Sequence, residues 1–424
     1  MYLNYLKRLK KFDKKLILNI FSLSSINIIR FIVNLITLPH LIGIYGPERW
    51  GEIVFIQVII NYFIWVIDWS LDQHSSKLIS INENNPHKQN QIFKSSISAQ
   101  FLILIICLFI INFYSILFAL NKHIYFYSNL ILIGNFLQPH WYLYGREKIY
   151  ESAIILLINR LLFSFFILTF INPNSIIDDY FLLMGISSLF TGIIFFIRIF
   201  THYNIKFEIT DFKSGILVIR KSFRLFISGI WESLKNSLAS ILIGSYIGQF
   251  DLGIFNIAER IKSLAVQALH PITQSIFPRI AKKYFKDKKE ANKSFQKILI
   301  FNLSISFIIY VFVNLYIYQI VNYFSEDYVN EIVSVLRIFI ILFILDSANE
   351  QFISNYFVTN NMYNFINNNK IFKFILFLSL IFPLMHKFKI MGVAFSILIS
   401  ELIGLIIVIK KFYLTKNYVI KKKG

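Results

Sequence analysis

The sequence predicts an all-α membrane protein, with about 12 transmembrane helices in two six-helix lobes around a central cavity. Three observations carry that prediction. Hydrophobic residues make up 56% of the 424 residues and charged residues only 16%, where a soluble domain carries about a quarter charged. Apolar runs long enough to cross a hydrocarbon core of about 30 Å recur from one end of the chain to the other. The cations behind the formal net charge of +20 collect in alternate connecting segments, as loops retained on the cytoplasmic side do.

The elements follow in order. Lys7, Arg8, Lys10, Lys11, Lys14 and Lys15 precede the first apolar run. No small-residue cleavage site follows, so this run reads as a start-transfer helix that stays. Spans are expected near 16–41, 52–72, 97–120, 124–144, 149–171 and 180–200. A second set is expected near 223–247, 254–280, 298–322, 332–357, 363–386 and 390–412. The second, eighth and tenth are the ones set apart by the charges they carry.

Orientation comes from counting Lys and Arg. With the N-terminus inside, 33 of the 43 cations fall in inner segments. Four, Arg49, Lys122, Lys387 and Lys389, fall in outer loops. The remaining six, Arg30, Arg160, Lys235, Arg260, Lys262 and Arg337, fall within spans. Adding or removing one span would scramble the alternation downstream, so both termini are expected on the cytoplasmic side. On a soluble chain the net charge would suggest nucleic acid; in these loops it points to none. The one cysteine, Cys107, lies in an apolar run and excludes disulfides and cysteine metal sites. No His/Glu or His/Cys cluster has metal-ligand spacing, and no phosphate-cradling loop is present. No cofactor is expected beyond a proton or sodium gradient.

The spans divide six and six into an N-terminal lobe 1–200, a cytoplasmic linker 201–222 and a C-terminal lobe 223–424. A weak echo links the halves: Gly46 and Gly51 close the first helix of one, Gly248 and Gly253 the first helix of the other. Each half has an even number of spans, so such repeats would be parallel. Transporters on that plan bind substrate near the midplane, where the halves meet, and alternate access.

Charges inside spans mark candidate sites, because each costs a few kcal/mol to insert and usually faces a cavity or a partner. At about 1.5 Å per residue, Arg160 lies roughly 15 Å into its span, Arg30 roughly 20 Å and Arg260 roughly 10 Å below the outer surface. These three are too deep to snorkel comfortably and are the expected cavity cations. A cationic chamber suits an anionic substrate, through hydrogen bonds from guanidinium to phosphate or carboxylate. Asp68 and Asp72, and again Asp346 and Glu350, sit four apart on a helix face. Together with Glu401, alone in the last span, they are the candidates for ion coupling. Glu232 with Lys235, and Glu259 with Lys262, read as local pairs. His74 and His270 read as packing residues. Trp65, Trp141 and Tyr142 could stack on sugars, with core packing the favoured reading.

Several segments resemble a known family. Asn34 to Gly46, with Pro39, Gly43 and Gly46, looks like the Pro-hydrophobic-Leu-Gly-Tyr-Gly signature of Wzx-type O-antigen and polysaccharide flippases. These belong to the multidrug/oligosaccharidyl-lipid/polysaccharide exporter superfamily. Asp68-Trp69-Ser70-Leu71 is similar to that family's Asp-Tyr-Gly-Phe, with Ser70 for the usual Gly. Gln138 to Lys148, with Trp141 and Gly145, resembles its Gln-Pro-x-Trp…Gly-x-Glu-Lys segment. Gly253 to Arg260, with Glu259, and Pro271 to Arg279, with Pro271 and Pro278, are similar to two further motifs. Position 260 is Arg where Lys is common, and the charge is kept.

The resemblance implies a MATE-like fold in a bacterial inner membrane. It also implies a function: translocation of an undecaprenyl-pyrophosphate-linked oligosaccharide repeat unit to the outer leaflet, driven by an ion gradient. Polymerase and chain-length proteins of the same pathway would be partners. Two alternatives stand beside it. A cation-coupled small-molecule exporter of the same superfamily would change drug tolerance rather than surface glycan. A membrane glycosyl polymerase would need a large outer loop, and the outer loops here are short.

Overall fold

The computed structural model describes residues 2–117, 122–203, 205, 212–286, 288–360 and 362–421. The side chains of 2–27, 116–117, 122, 228, 232–233, 236, 270–293 and 416–421 lie outside that description. Among the described residues every regular element is helical. Within a bilayer a helix satisfies its own backbone hydrogen bonds, so an apolar chain of this composition is confined to that choice.

The helices are α1 (Tyr2–Asp68), α2 (Leu71–Ile81), α3 (Pro86–Leu117), α4 (Lys122–Phe136), α5 (His140–Gly145), α6 (Ile149–Phe170) and α7 (Ile177–Tyr203). They continue with α8 (Phe212–Leu242), α9 (Gln249–Lys286), α10 (Lys288–Leu315), α11 (Ile317–Phe324), α12 (Val329–Gln351) and α13 (Tyr363–Lys421). π-helical segments Ile243–Ile247 and Phe352–Val358 extend α8 and α12.

Two of these are double spans. α1 breaks at Gly46, whose φ of 66° is open to glycine, and α13 breaks at Lys389. The breaks fall in the outer turns expected at 42–51 and 387–389. Among the described residues six helices are long and apolar enough to cross a membrane, or seven if the bent pair of α11 with Val329–Val358 counts as one span. Two of the six, Ile28–Ile81 and Tyr363–Thr415, run 54 and 53 residues, each enough for two crossings. α8 and α9, which carry most of the intramembrane charges of the second half, are not among the six.

The chain forms two compact units. Unit 1 holds residues 1–44 and 56–233; unit 2 holds 45–55 and 234–424. Residues 45–55 of α1, which contain its break, therefore belong to the second unit, and the boundary falls within α8.

Unit 1 is built on close helix contact. A Cβ at Gly134 of α4 would overlap Ser188 of α7, and one at Gly192 would meet the Gly134 carbonyl oxygen at 2.7 Å. Small residues are what let helices approach without a hydrophobic drive from water. Phe93, Trp141 and Tyr142 fill its core, with ring centroids 5.5 and 5.4 Å from Phe93. The Trp141 indole donates to Gln100 Oε1 at 3.2 Å. Unit 2 has an aromatic core of Phe295, Phe352, Tyr356 and Phe412.

The glycine echo has a physical meaning. Gly46 and Gly248 both take left-handed backbone, with φ of 66° and 144°. A Cβ at Gly51 would collide with the carbonyl of Gln249, and a Cβ at Gly253 with the carbonyl of Pro47. Pro47 and Gln249 each directly follow the first glycine of their pair. The contact is thus reciprocal, a local two-fold crossing inside unit 2. Trp50 Nε1 closes it by donating to Asn256 Oδ1 at 3.2 Å.

Candidate functional site

In unit 1 the charged groups gather at two helix breaks. Trp69 and Ser70 have φ of 42° and 56°, which ends α1 and restarts the chain as α2. Asp68 is the last residue of α1, and Asp72 lies in the first turn of α2. Trp65 and Trp69 brace this break by stacking on Phe226 at 4.4 and 3.9 Å. The second break lies at Gln138 and Pro139, where the missing proline N–H stops α4 and α5 starts at His140. α5 packs against α2 because Gly145 has no side chain: a Cβ there would lie 2.6 Å from the Ser76 carbonyl oxygen. This seats His140 Nε2 3.2 Å from Asp72 Oδ1. Arg30 interacts electrostatically with Tyr144, one turn on from His140.

Just beyond, Glu151 is buried and accepts from Arg198 Nε at 3.1 Å, Tyr203 Oη at 3.2 Å and Tyr150 Oη at 3.1 Å. Sequence reasoning missed this clamp, although Glu151 follows the Gly-x-Glu-Lys motif by only a few residues. Removing one member of a buried charge network costs about 3–5 kcal/mol. Glu151→Ala is therefore expected to lower the thermal unfolding midpoint of the purified protein clearly, and Arg198→Ala to do so less, since Arg198 is partly exposed. Equal midpoints for wild type and Glu151→Ala would contradict the clamp.

In unit 2 the charges surround a cavity of about 90 Å³ lined by Lys235, Phe255, Glu259, Lys262, Asp346 and Glu401, among others. Lys262 Nζ reaches Asp346 Oδ2 at 2.9 Å. Glu401 is held by two ammonium groups: Lys235 on one carboxylate oxygen and Lys373 Nζ on the other at 2.8 Å. Lys373 reaches it by lying along Gly404, where a Cβ would overlap its Cδ.

These pairings correct two expectations. Glu401 is not alone. Lys262 takes Asp346 as its ion-pair partner rather than Glu259. Lys235 pairs across to α13; the expected pair with Glu232 falls on a side chain outside the described residues. Lys373, counted above with an inner segment, is a buried residue. Its distance from the start of α13, ten residues, was the available signal.

The remaining predicted residues fall as follows. Arg30, Arg160 and Arg260 are half-buried, the first two in unit 1 and the third in unit 2. Arg260 Nε donates to Asn256 Oδ1 at 3.4 Å. Glu350 is exposed and Glu259 half-buried. Pro39 lies within α1 before its break, and Gly43 has open space around it. His74 is half-buried, with Nε2 lacking a hydrogen-bond partner. The side chains of His270, Pro271, Pro278 and Glu232 lie outside the described residues. Trp141 and Tyr142 are core residues, each 1% exposed, and are not available to a sugar in this state.

Comparison with known proteins follows from this geometry. The model of the family described as "Polysaccharide biosynthesis protein" matches residues 16–284, and that of MatE matches 225–386. An Escherichia coli (strain K12) protein named as a candidate O-antigen transporter is 25% identical over 394 residues, covering 90% of this chain and 93% of that one. Staphylococcus aureus capsular polysaccharide biosynthesis protein CapF is 28% identical over 216 residues, 48% of this chain and 52% of its own.

Among solved structures, the lipid II flippase MurJ in an inward closed conformation superposes with a TM-score of 0.77 at 14% identity, covering 93% of this chain and 87% of MurJ. An inward-facing multidrug resistance MATE transporter of the MOP superfamily gives 0.75 at 14%, covering 96% and 100%. The fold is the all-α membrane fold of MATE and MurJ.

Proposed function

The chain belongs to the polysaccharide biosynthesis protein family, and on that premise we propose that it is a flippase for a lipid-linked oligosaccharide. It moves a polyprenyl-pyrophosphate-linked repeat unit from the inner to the outer leaflet of a bacterial cytoplasmic membrane. The observation that carries the reading is three half-buried guanidinium groups on helices of a family member, Arg30 and Arg160 on long apolar helices and Arg260 on α9. A cation at that depth is expensive unless it has work to do. The planar fork of arginine matches two phosphate oxygens at once, which an ammonium cannot do. Guanidinium groups of this kind bind the headgroup phosphates while the polyprenyl tail stays in the bilayer. The termini face the cytoplasm, by the 33 to 4 distribution of cations. An ion gradient drives net movement through Asp68 and Asp72. The glycan polymerase and chain-length proteins that take over the exported unit are its functional partners.

The experiment is complementation of a strain lacking its own flippase. Arg160→Ala is expected to abolish surface polysaccharide while still inserting, and Arg160→Lys to restore part of it. Normal polysaccharide in cells carrying Arg30→Ala, Arg160→Ala and Arg260→Ala together would overturn the proposal. A change in drug tolerance without a change in surface glycan would favour a small-molecule exporter instead.

A further inference from the structure

We infer that His140 is the proton-binding residue of unit 1, and that the coupling ion is therefore a proton rather than a metal cation. The inference rests on the ion-coupled reading above and specifies its ion and its site.

The argument starts from hydrogen-bond roles. His140 Nδ1 lies 2.8 Å from the backbone carbonyl of Gln138, which can only accept. Its Nε2 lies 3.2 Å from Asp72 Oδ1, a carboxylate that, when ionised, also only accepts. A neutral imidazole offers one donor and one acceptor, so it can satisfy one of these contacts and not both. The imidazolium satisfies both. The arrangement is that of a bound proton, and Asp68 adds a second negative charge that interacts electrostatically with the ring.

Among the described residues, the charged groups that act on the ring are Asp72 of α2, in direct contact, and Asp68 of α1. Tyr144 of α5 stands with its ring centroid 5.5 Å away and interacts electrostatically with Arg30. His74 of α2 interacts with Lys77 and Lys221. On α6, Glu151 is turned to Arg198 and Tyr203.

Comparison with the carboxylates of unit 2 separates this cluster from the others. Asp346 and Glu401 pair with lysine ammonium groups. Asp72 pairs with an imidazole, the side-chain class that serves as a proton switch. Among the described candidates for ion coupling, Asp72 and Asp68 are the ones with an imidazole beside them. Asp72 is also exposed, with 44% of its side chain accessible, so the proton has a route in.

The position gives the proton leverage. Asp68 and Asp72 flank the break between α1 and α2, and His140 opens the helix after the break at Pro139. When the proton leaves Nε2 for water, Asp72 loses its cationic partner and the bond tying the two broken helices is lost. Proton binding and helix arrangement are therefore linked, as coupling requires.

The test uses inverted membrane vesicles and the lipid-linked oligosaccharide extracted from the host strain, with flipping followed under an imposed pH gradient or an imposed sodium gradient. Wild type is expected to be accelerated by the pH gradient alone. In His140→Gln the ratio of rates with and without that gradient falls to about one, and His140→Arg, with a permanent charge, shows the same loss. An undiminished pH-gradient response in His140→Gln overturns the inference while the coupling reading stands. Acceleration of wild type by sodium alone overturns the proton assignment. If neither gradient accelerates wild type, the coupling reading itself fails, and the inference with it. Should the His140 variants fail to insert, Asp72→Asn carries the test. It keeps the imidazole but removes the charge that favours its proton, so the pH of half-maximal flipping moves towards acid by about one unit. An unchanged profile overturns the inference.

Discussion

Replacing Glu401 with alanine is expected to destabilise the protein more than any other single charge removal in unit 2. The carboxylate is shared by Lys235 and Lys373, and Lys373 is 9% exposed. Its loss strands two ammonium groups in an apolar interior at once. Breaking one buried pair costs about 3–5 kcal/mol, and two stranded cations place this variant at the upper end of that range. The measurement is the thermal midpoint of purified protein, with membrane yield alongside. The compensating variant Lys235→Met, Lys373→Met, Glu401→Leu should recover most of the loss, because an apolar triad of similar volume leaves no charge to desolvate. A midpoint for Glu401→Ala equal to wild type would show that the lysines find water instead. Gly404→Val should mimic part of the effect by pushing the Lys373 stem off its track.

The second large effect is expected at the reciprocal glycine crossing. Even alanine at Gly51 places a Cβ on the Gln249 carbonyl, and alanine at Gly253 places one on the Pro47 carbonyl. Backbone cannot yield as a side-chain tip does, so each helix must shift. Overpacking of this kind costs about 1–3 kcal/mol. Because the two contacts belong to one crossing, Gly51→Ala and Gly253→Ala should lower the midpoint by similar amounts. The double variant should cost less than both together, since a crossing already opened by one is not opened again by the other. Strict additivity, or a tolerated change at one glycine only, would contradict the two-fold contact.

The parts of this fold legible in the sequence are those set by backbone and bilayer. Apolar run length placed the helices, and Gly46 and Gly248 marked the ends of the helices that open each half, because only special backbone ends a helix there. The division of the chain was less legible. The segment 45–55 joins unit 2 through Gly51 and Trp50, a long-range contact that no local pattern announces. The charged sites divide the same way. Asp68, Asp72, Asp346 and Glu401 stood out because carboxylates in spans are costly, whereas their partners could not be read. Spacing along one helix suggested Glu259 for Lys262, but its ion-pair partner lies 84 residues away, as the Glu401 partner of Lys235 lies 166 away. His140 was visible only as a variable position between Pro139 and Trp141. Its meaning depends on the packing of α5 against α2, which Gly145 permits.

The account's central claim is movement of a lipid-linked oligosaccharide between leaflets. The most direct measurement is the leaflet position of that lipid in cells deleted for the gene and in the same cells complemented with wild type. A membrane-impermeant glycan-modifying reagent applied to intact spheroplasts reads it. The account predicts that the repeat unit stays on the inner leaflet and protected without the protein, and becomes outward-facing and reactive with it. An equally outward-facing repeat unit in both strains would contradict it.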